Sequence, residues 1–341
     1  MEKTGKRIFY LDFIRALAVI MILLTHYNAL YIYMEPQHLE KTILTVYPFG
    51  IYIGNVAVAL FFIISGAALM HVYGDKFNIV EFYKKRILSI YPMWWIACIF
   101  AYSYWLLKYK TANPWGAEHW KILLTIIGFD QYFASLTVTF GIIGEWFLGC
   151  IILIYILFPI VRYLFNYHIK ICILGVLGLY FYFIFANPWP LWLSVNVFVR
   201  LPEFLFGMYF YKYWKNVTWR GALIGTIVLI TTTLWNPNID DNIKTTYIGI
   251  AFFIVLVYVA RIFEHNKAIL YISSKICKYS YAIFISHHIL MYEIGKQFDL
   301  ANIAYGNSVA LFAVCCGLSF ITAFLLYSCY KFTIKQIAQM K

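Results

Sequence analysis

"RALAVIMILLTH", residues 15–26, is an apolar stretch with an arginine at one end and a histidine at the other. The flanks, "IFYLDFI" (8–14) and "YNALYIY" (27–33), are apolar as well, so the whole run reads as a helix that crosses a membrane. Arg15 and His26 are eleven residues apart, just over three helical turns. They therefore share one face and lie about 16 Å apart along the axis. An ionisable side chain within a span is costly and rarely faces lipid, so this face is expected to look into a bundle or into water. Asp12, three residues before Arg15, is within pairing reach. A histidine is the usual general base near neutral pH, which makes His26 the stronger catalytic candidate. The plain structural alternatives are an Asp12–Arg15 pair and a hydrogen-bonded core histidine.

The rest of the chain agrees with a membrane reading. Of its 341 residues, 63% are hydrophobic and 12% charged, against about half and a quarter in soluble domains. The mean hydropathy is +0.75. Apolar runs at about 8–30, 50–73, 88–108, 142–164, 170–186, 192–213, 219–235, 244–262, 277–295 and 306–330 predict an all-α bundle of about ten spans. Trp and Tyr at run ends, as in "YPMWW" and "NPWPLW", suit membrane interfaces. "HWKILLTIIGF" (119–129) is too short to span and is expected to lie along the surface or dip in. With the N-terminus in the cytoplasm, 19 of the 27 Lys and Arg fall inside, six outside, and Arg15 and Arg200 within spans. That bias predicts cytoplasmic termini and accounts for the net charge of +12 without nucleic acid. No loop is long enough for a soluble domain, so residues 1–341 are expected to form one transmembrane domain. The seven cysteines show no CxxC pair and support neither zinc nor a disulfide framework.

Other residues stand out chemically. Arg200 and Glu203 are three apart on one predicted helix, as a self-satisfying ion pair or as a polar wall of a reaction cavity. Lys84, Lys85 and Arg86 form a basic run on the cytoplasmic side, suited to anionic lipid or to phosphates. Ser65 is a possible nucleophile, but Ser65–Gly66 more simply lets helices approach closely. His287 and His288 are adjacent, so they point about 100° apart, and no carboxylate cluster accompanies them; no metal site is expected.

Five segments taken in order resemble the acyltransferase-3 family, bacterial membrane acyltransferases that modify sugars. "YLDFIRALAVIMILLTHY" is similar to its first helix, an Arg, ten residues and a His. "ALFFIISGAALM" resembles its SG segment, "FYKKRILSIYPMWW" its basic loop, "RLPEFLFGMYF" its R-x-x-E-F motif and "YSYAIFISHH" its SYxIYLxH motif. Two segments depart. Ser89 stands where the basic run has a second arginine. In "EWFLGCIILIYILFP", Trp146, Phe147 and Leu148 match, but the downstream acid is missing and Glu145 lies just before instead.

The resemblance implies a multi-pass protein of the bacterial inner membrane that moves an acyl group, acetyl first among candidates, from cytosolic acyl-CoA to a hydroxyl of a glycan or lipid-linked saccharide. Succinyl transfer and a lipid-linked sugar flippase are the alternatives. It implies His26 as general base, with Arg15 near the thioester or pantetheine and Glu203 orienting His26 or the acceptor. Lys84, Lys85 and Arg86 would hold the coenzyme A phosphates. Ser65, Trp146, Arg200, Tyr281 and His287 would line the cavity. No permanently bound cofactor is expected. Partners would be acyl-CoA, the acceptor, the bilayer and polysaccharide-assembly proteins. The extracellular hydrolase-like domain fused to some relatives is expected to be absent, since the chain ends soon after the tenth span.

Overall fold

The computed structural model of the chain describes residues 7–143 and 146–339. It is all-α, with eleven α-helices and no strand among the described residues. They are α1 (Phe9–Ile32), α2 (Ile53–Tyr73), α3 (Ile79–Tyr109), α4 (Ile122–Ile127), α5 (Trp146–Tyr167), α6 (Ile169–Ala186), α7 (Val197–Tyr209), α8 (Trp219–Trp235), α9 (Asp241–Ile262), α10 (Lys267–Gly295) and α11 (Tyr305–Gln339). Each of the ten apolar runs coincides with a helix; α4 is the addition. Seven helices (α1, α2, α3, α5, α6, α9 and α11) are long and apolar enough to cross a membrane. The protein is a multi-pass membrane protein.

The helices pack as two compact units. One joins α1 up to Ile22 with Thr45–Asn78 and Ile151–Lys278; the other joins Leu23–Leu44, Ile79–Cys150 and Tyr279–Lys341.

The first unit is built on the crossing of α2 and α7. A Cβ on Gly66 would run into the Phe204 carbonyl, and one on Gly207 into the Ile63 carbonyl. Reciprocal glycines thus bring two backbones into contact, the usual way in which helices associate without a hydrophobic drive between them. Ile14 and Ala18 of α1, Leu60, Ile63 and Ala67 of α2, and Phe253 and Val257 of α9 close over the seam as a buried cluster. Arg162 of α5 caps the end of α2, donating from Nε to the Tyr73 carbonyl at 2.5 Å and from Nη2 to that of Gly74 at 2.8 Å.

In the second unit α1 is tied to α11. Tyr27 donates to the Ser308 carbonyl at 2.8 Å, and Tyr31 shares a 2.8 Å hydrogen bond with the Ser308 hydroxyl. Pro92 inside α3 has no N–H and leaves the Leu88 carbonyl without its helical donor. Tyr330 of α11 supplies one at 3.4 Å.

The segment after α3 folds back against it. Trp94 donates to the Thr125 carbonyl at 2.7 Å, Trp95 to that of Ile126 at 2.9 Å and Tyr91 to that of Ile127 at 3.1 Å. These are the last carbonyls of α4; Thr125 also accepts the Gly128 N–H, and the side chains of α3 supply donors to the other two, as helix ends require. Residues 91–95 lie 14 to 18 residues before the end of α3. The chain leaves α3 at Tyr109 and returns to a level about 21–27 Å along it.

Gly207→Ala would push a methyl into a backbone carbonyl at the α2–α7 seam, where the neighbour is not a movable side chain. The variant is expected to lose about 1–3 kcal/mol or more of stability, seen as a lowered midpoint of thermal unfolding in detergent. Gly175→Ala, with open space at its Cβ, should leave the midpoint unchanged.

Candidate functional site

Three imidazoles meet in the second unit. His26 of α1 lies with its ring centroid 4.8 Å from that of His287 and 4.8 Å from that of His288, both edge-to-face. The two α10 histidines diverge, as adjacent helical positions must, yet the His26 ring is in contact with both. The sequence offers His288 only as half of an adjacent pair weighed for a metal; its proximity to His26 depends on how α1 and α10 pack.

The three rings differ in their commitments. His287 is fully buried, and its Nδ1 faces the Ile283 carbonyl at 2.9 Å and the Phe284 carbonyl at 2.8 Å. Carbonyls only accept, so Nδ1 carries the proton and Nε2 the lone pair. His26 is half-buried and makes no hydrogen bond among the described residues. Two further residues singled out in the sequence stand in this unit. Tyr281 donates to the Ile90 carbonyl of α3 at 3.1 Å. Trp146 is half-buried at the start of α5, and the next residue, Phe147, packs on Phe284 of α10 at 5.4 Å. Glu145 lies outside the described residues.

In the first unit, Arg15 does not pair with Asp12. Asp12 binds Arg7 at 2.8 Å and accepts a hydrogen bond from the Cys277 thiol at 3.1 Å. Arg15 donates from Nη1 to the Cys277 sulfur at 3.3 Å, its one hydrogen bond among the described residues. Half-buried, the guanidinium keeps most of its five donors for a ligand.

Arg200 and Glu203 form the self-satisfying pair that their spacing allows, Nη1 to Oε1 at 3.1 Å, with both side chains fully buried. Arg200 Nε also donates to the Ser194 carbonyl at 2.7 Å, and Thr246 approaches Glu203 Oε1 at 3.4 Å. Arg200 Nη2 and Glu203 Oε2 are buried without a hydrogen-bond partner among the described residues. Ser65 is half-buried beside the glycine of the α2–α7 seam.

The basic run is helical, not a loop. Lys84, Lys85 and Arg86 occupy the first turns of α3, because nothing in "IVEFYKKRIL" breaks a helix before Pro92. Lys85 binds Glu81 at 2.5 Å, Arg86 is half-buried with its guanidinium 5.9 Å from the Phe82 ring, and Lys84 is exposed. Among the described residues no group of His, Cys, Asp and Glu is arranged to hold a metal.

The model of the acyltransferase domain family matches residues 8–328, which include Arg15 and His26 of α1. The chain belongs to the acyltransferase-3 family. No curated protein and no solved structure matches it. As a member of that family it is a membrane acyltransferase, and the match runs through both units and through every helix from α1 to α11.

Removing one member of the buried pair should cost more than removing both. Glu203→Leu leaves a buried guanidinium without its counter-charge, expected to cost about 3–5 kcal/mol. Arg200→Leu combined with Glu203→Leu should recover part of that loss. Thermal unfolding of the three variants in nanodiscs checks this.

Proposed function

We propose that this acyltransferase is an inner-membrane O-acetyltransferase that takes acetyl from cytosolic acetyl-CoA and places it on a hydroxyl of a cell-surface or lipid-linked glycan. One observation carries the assignment of the base. His26 makes no hydrogen bond among the described residues, and it is half-buried rather than closed off. Its neighbour His287 is fully buried and holds its Nδ1 proton on the helix backbone.

In the reaction, the acceptor oxygen bonds to the thioester carbonyl carbon and the carbon–sulfur bond breaks. The hydroxyl proton passes to a nitrogen of His26 and from there to the departing coenzyme A thiolate, so the enzyme ends as it began. Arg15 and His26 lie about 16 Å apart along α1, which supports a role for Arg15 away from the reacting carbonyl. A guanidinium that far along the helix does not touch a carbonyl at His26. It holds a more remote part of the donor, the pantetheine arm or its phosphates, with the fork that Cys277 leaves open. Lys84 and its neighbours on the first turns of α3 provide further positive charge for those phosphates.

The experiment is coenzyme A release from acetyl-CoA by the purified protein in nanodiscs, with a panel of glycan acceptors. Wild type should show acceptor-dependent release, and His26→Ala should lower kcat by about 10²–10⁴-fold while remaining folded. Failure to bind acetyl-CoA or any other acyl-CoA would overturn the donor assignment and favour a lipid-linked sugar flippase.

Lys84→Ala should raise KM for acetyl-CoA several-fold with kcat unchanged, the mark of a contact made equally in ground and transition states. An unchanged KM at low ionic strength would remove the basic run from the donor site.

A further inference from the structure

Asp12 lies three residues before Arg15 on α1, the spacing at which a carboxylate and a guanidinium pair on a helix. A carboxylate on Arg15 would occupy the fork that a ligand needs and cancel its charge. The thiol of Cys277, on α10, stands between the two groups instead. It donates to Asp12 Oδ1 at 3.1 Å and accepts from Arg15 Nη1 at 3.3 Å. The other carboxylate oxygen, Oδ2, is held by Arg7 Nε at 2.8 Å. Four side chains therefore run in a row, Arg7, Asp12, Cys277 and Arg15, all within the first unit. Cys277 is buried, so its sulfur is fixed inside the row. A thiol is a weak donor and a weak acceptor. It can orient a guanidinium through one nitrogen without neutralising it, which a carboxylate in the same place could not do. Arg7 meanwhile gives Asp12 the counter-charge that its spacing would otherwise find in Arg15.

We propose that Cys277 is a positioning residue of the acyl-donor site: its thiol keeps the Asp12 carboxylate off Arg15 and leaves the guanidinium charged and open for the anionic arm of acyl-CoA. The proposal rests on the reading of Arg15 as a residue that holds the donor. The thiol forms no bond to substrate in this role. Once it is removed, nothing in the row separates two opposite charges on one helix face, and the pair that their spacing favours forms at the expense of the ligand.

The test uses the full chain in nanodiscs, titrated with acetyl-CoA in the absence of any acceptor. Cys277→Ala should raise Kd about 10-fold, the loss of one charge-assisted contact. Cys277→Ser, whose hydroxyl also donates and accepts, should bind close to wild type. Cys277→Ala combined with Asp12→Asn should return toward the wild-type Kd, because no carboxylate is left to capture Arg15. Asp12→Glu, whose carboxylate reaches one methylene further, should weaken binding with the thiol in place, and it serves if Cys277→Ala does not fold. A second readout needs no donor: phenylglyoxal modification of arginines, mapped by mass spectrometry, should be several-fold slower at Arg15 in Cys277→Ala and should recover when Asp12→Asn is added. A double variant that binds as weakly as Cys277→Ala and shows no recovery at Arg15 would overturn the proposal. So would a lowered unfolding midpoint of Cys277→Ala with Kd per folded molecule unchanged, which would make Cys277 a packing residue only. If Arg15→Ala binds acetyl-CoA as wild type does, the donor role of Arg15 falls, and the modification rates still decide whether the thiol holds Asp12 away from it.

Discussion

A backbone carbonyl that loses its helical donor inside hydrocarbon has no water to turn to, and another part of the protein must meet it. This constraint organises much of the polar chemistry of the chain. Pro92 frees the Leu88 carbonyl, and Tyr330 answers it. The end of α2 leaves the Tyr73 and Gly74 carbonyls open, and Arg162 takes both. The short α4 offers three terminal carbonyls, and Tyr91, Trp94 and Trp95 receive them one each. At the imidazole cluster the relation works in reverse. Backbone carbonyls of α10 fix the ring of His287, so the same constraint that lets the helix ends exist also decides which of its ring nitrogens remains available.

Close backbone approach is the second organising feature. Where α2 and α7 touch through Gly66 and Gly207, no room is left for side chains. The neighbouring face of α7 carries Arg200 and Glu203 into full burial. An ion pair in such a place is stable only while both charges are present, because each removes the cost of burying the other. In α7, therefore, a glycine that brings the helices together is coupled to an arginine and a glutamate that must stay paired. Ser65 belongs to the same arrangement by position: it flanks the glycine that makes the contact.

The helices were legible in the sequence because hydropathy is a sum over many residues, and a single contact cannot reverse it. The ten apolar runs each land on a helix for that reason. The misreadings have a common cause. The resemblance places Lys84, Lys85 and Arg86 in a loop, yet charge does not break a helix, and α3 begins before them. Asp12 is in reach of Arg15 by spacing, but Arg7 and Cys277 compete for it, and Cys277 is 265 residues away in the chain. The folding back of residues 119–129 onto α3 is not fixed by their hydropathy. A signal for it was present: Tyr91, Trp94 and Trp95 are spaced to present donors on one side of α3, and Asp130 follows α4 at once. What the sequence could not supply was the partner of those donors, since pairing over more than 30 residues is set by packing and not by local pattern.

The division of labour among the three imidazoles follows from these contacts. Three adjacent neutral rings are chemically alike in water, and any of them would serve as a base. In this fold they are not alike. His287 is buried and anchored through Nδ1, so it cannot turn toward a substrate without abandoning two carbonyls of its own helix. His26 has no such tie among the described residues, and it is supported edge-on from two directions by the rings of His287 and His288. A base works best when its orientation is fixed by its surroundings and its nitrogens are left for the reaction. On the proposed reading the two α10 histidines provide the first condition, and the absence of hydrogen bonds to His26 among the described residues provides the second. Catalysis then depends less on the number of histidines than on one of them being held by the backbone and against the base.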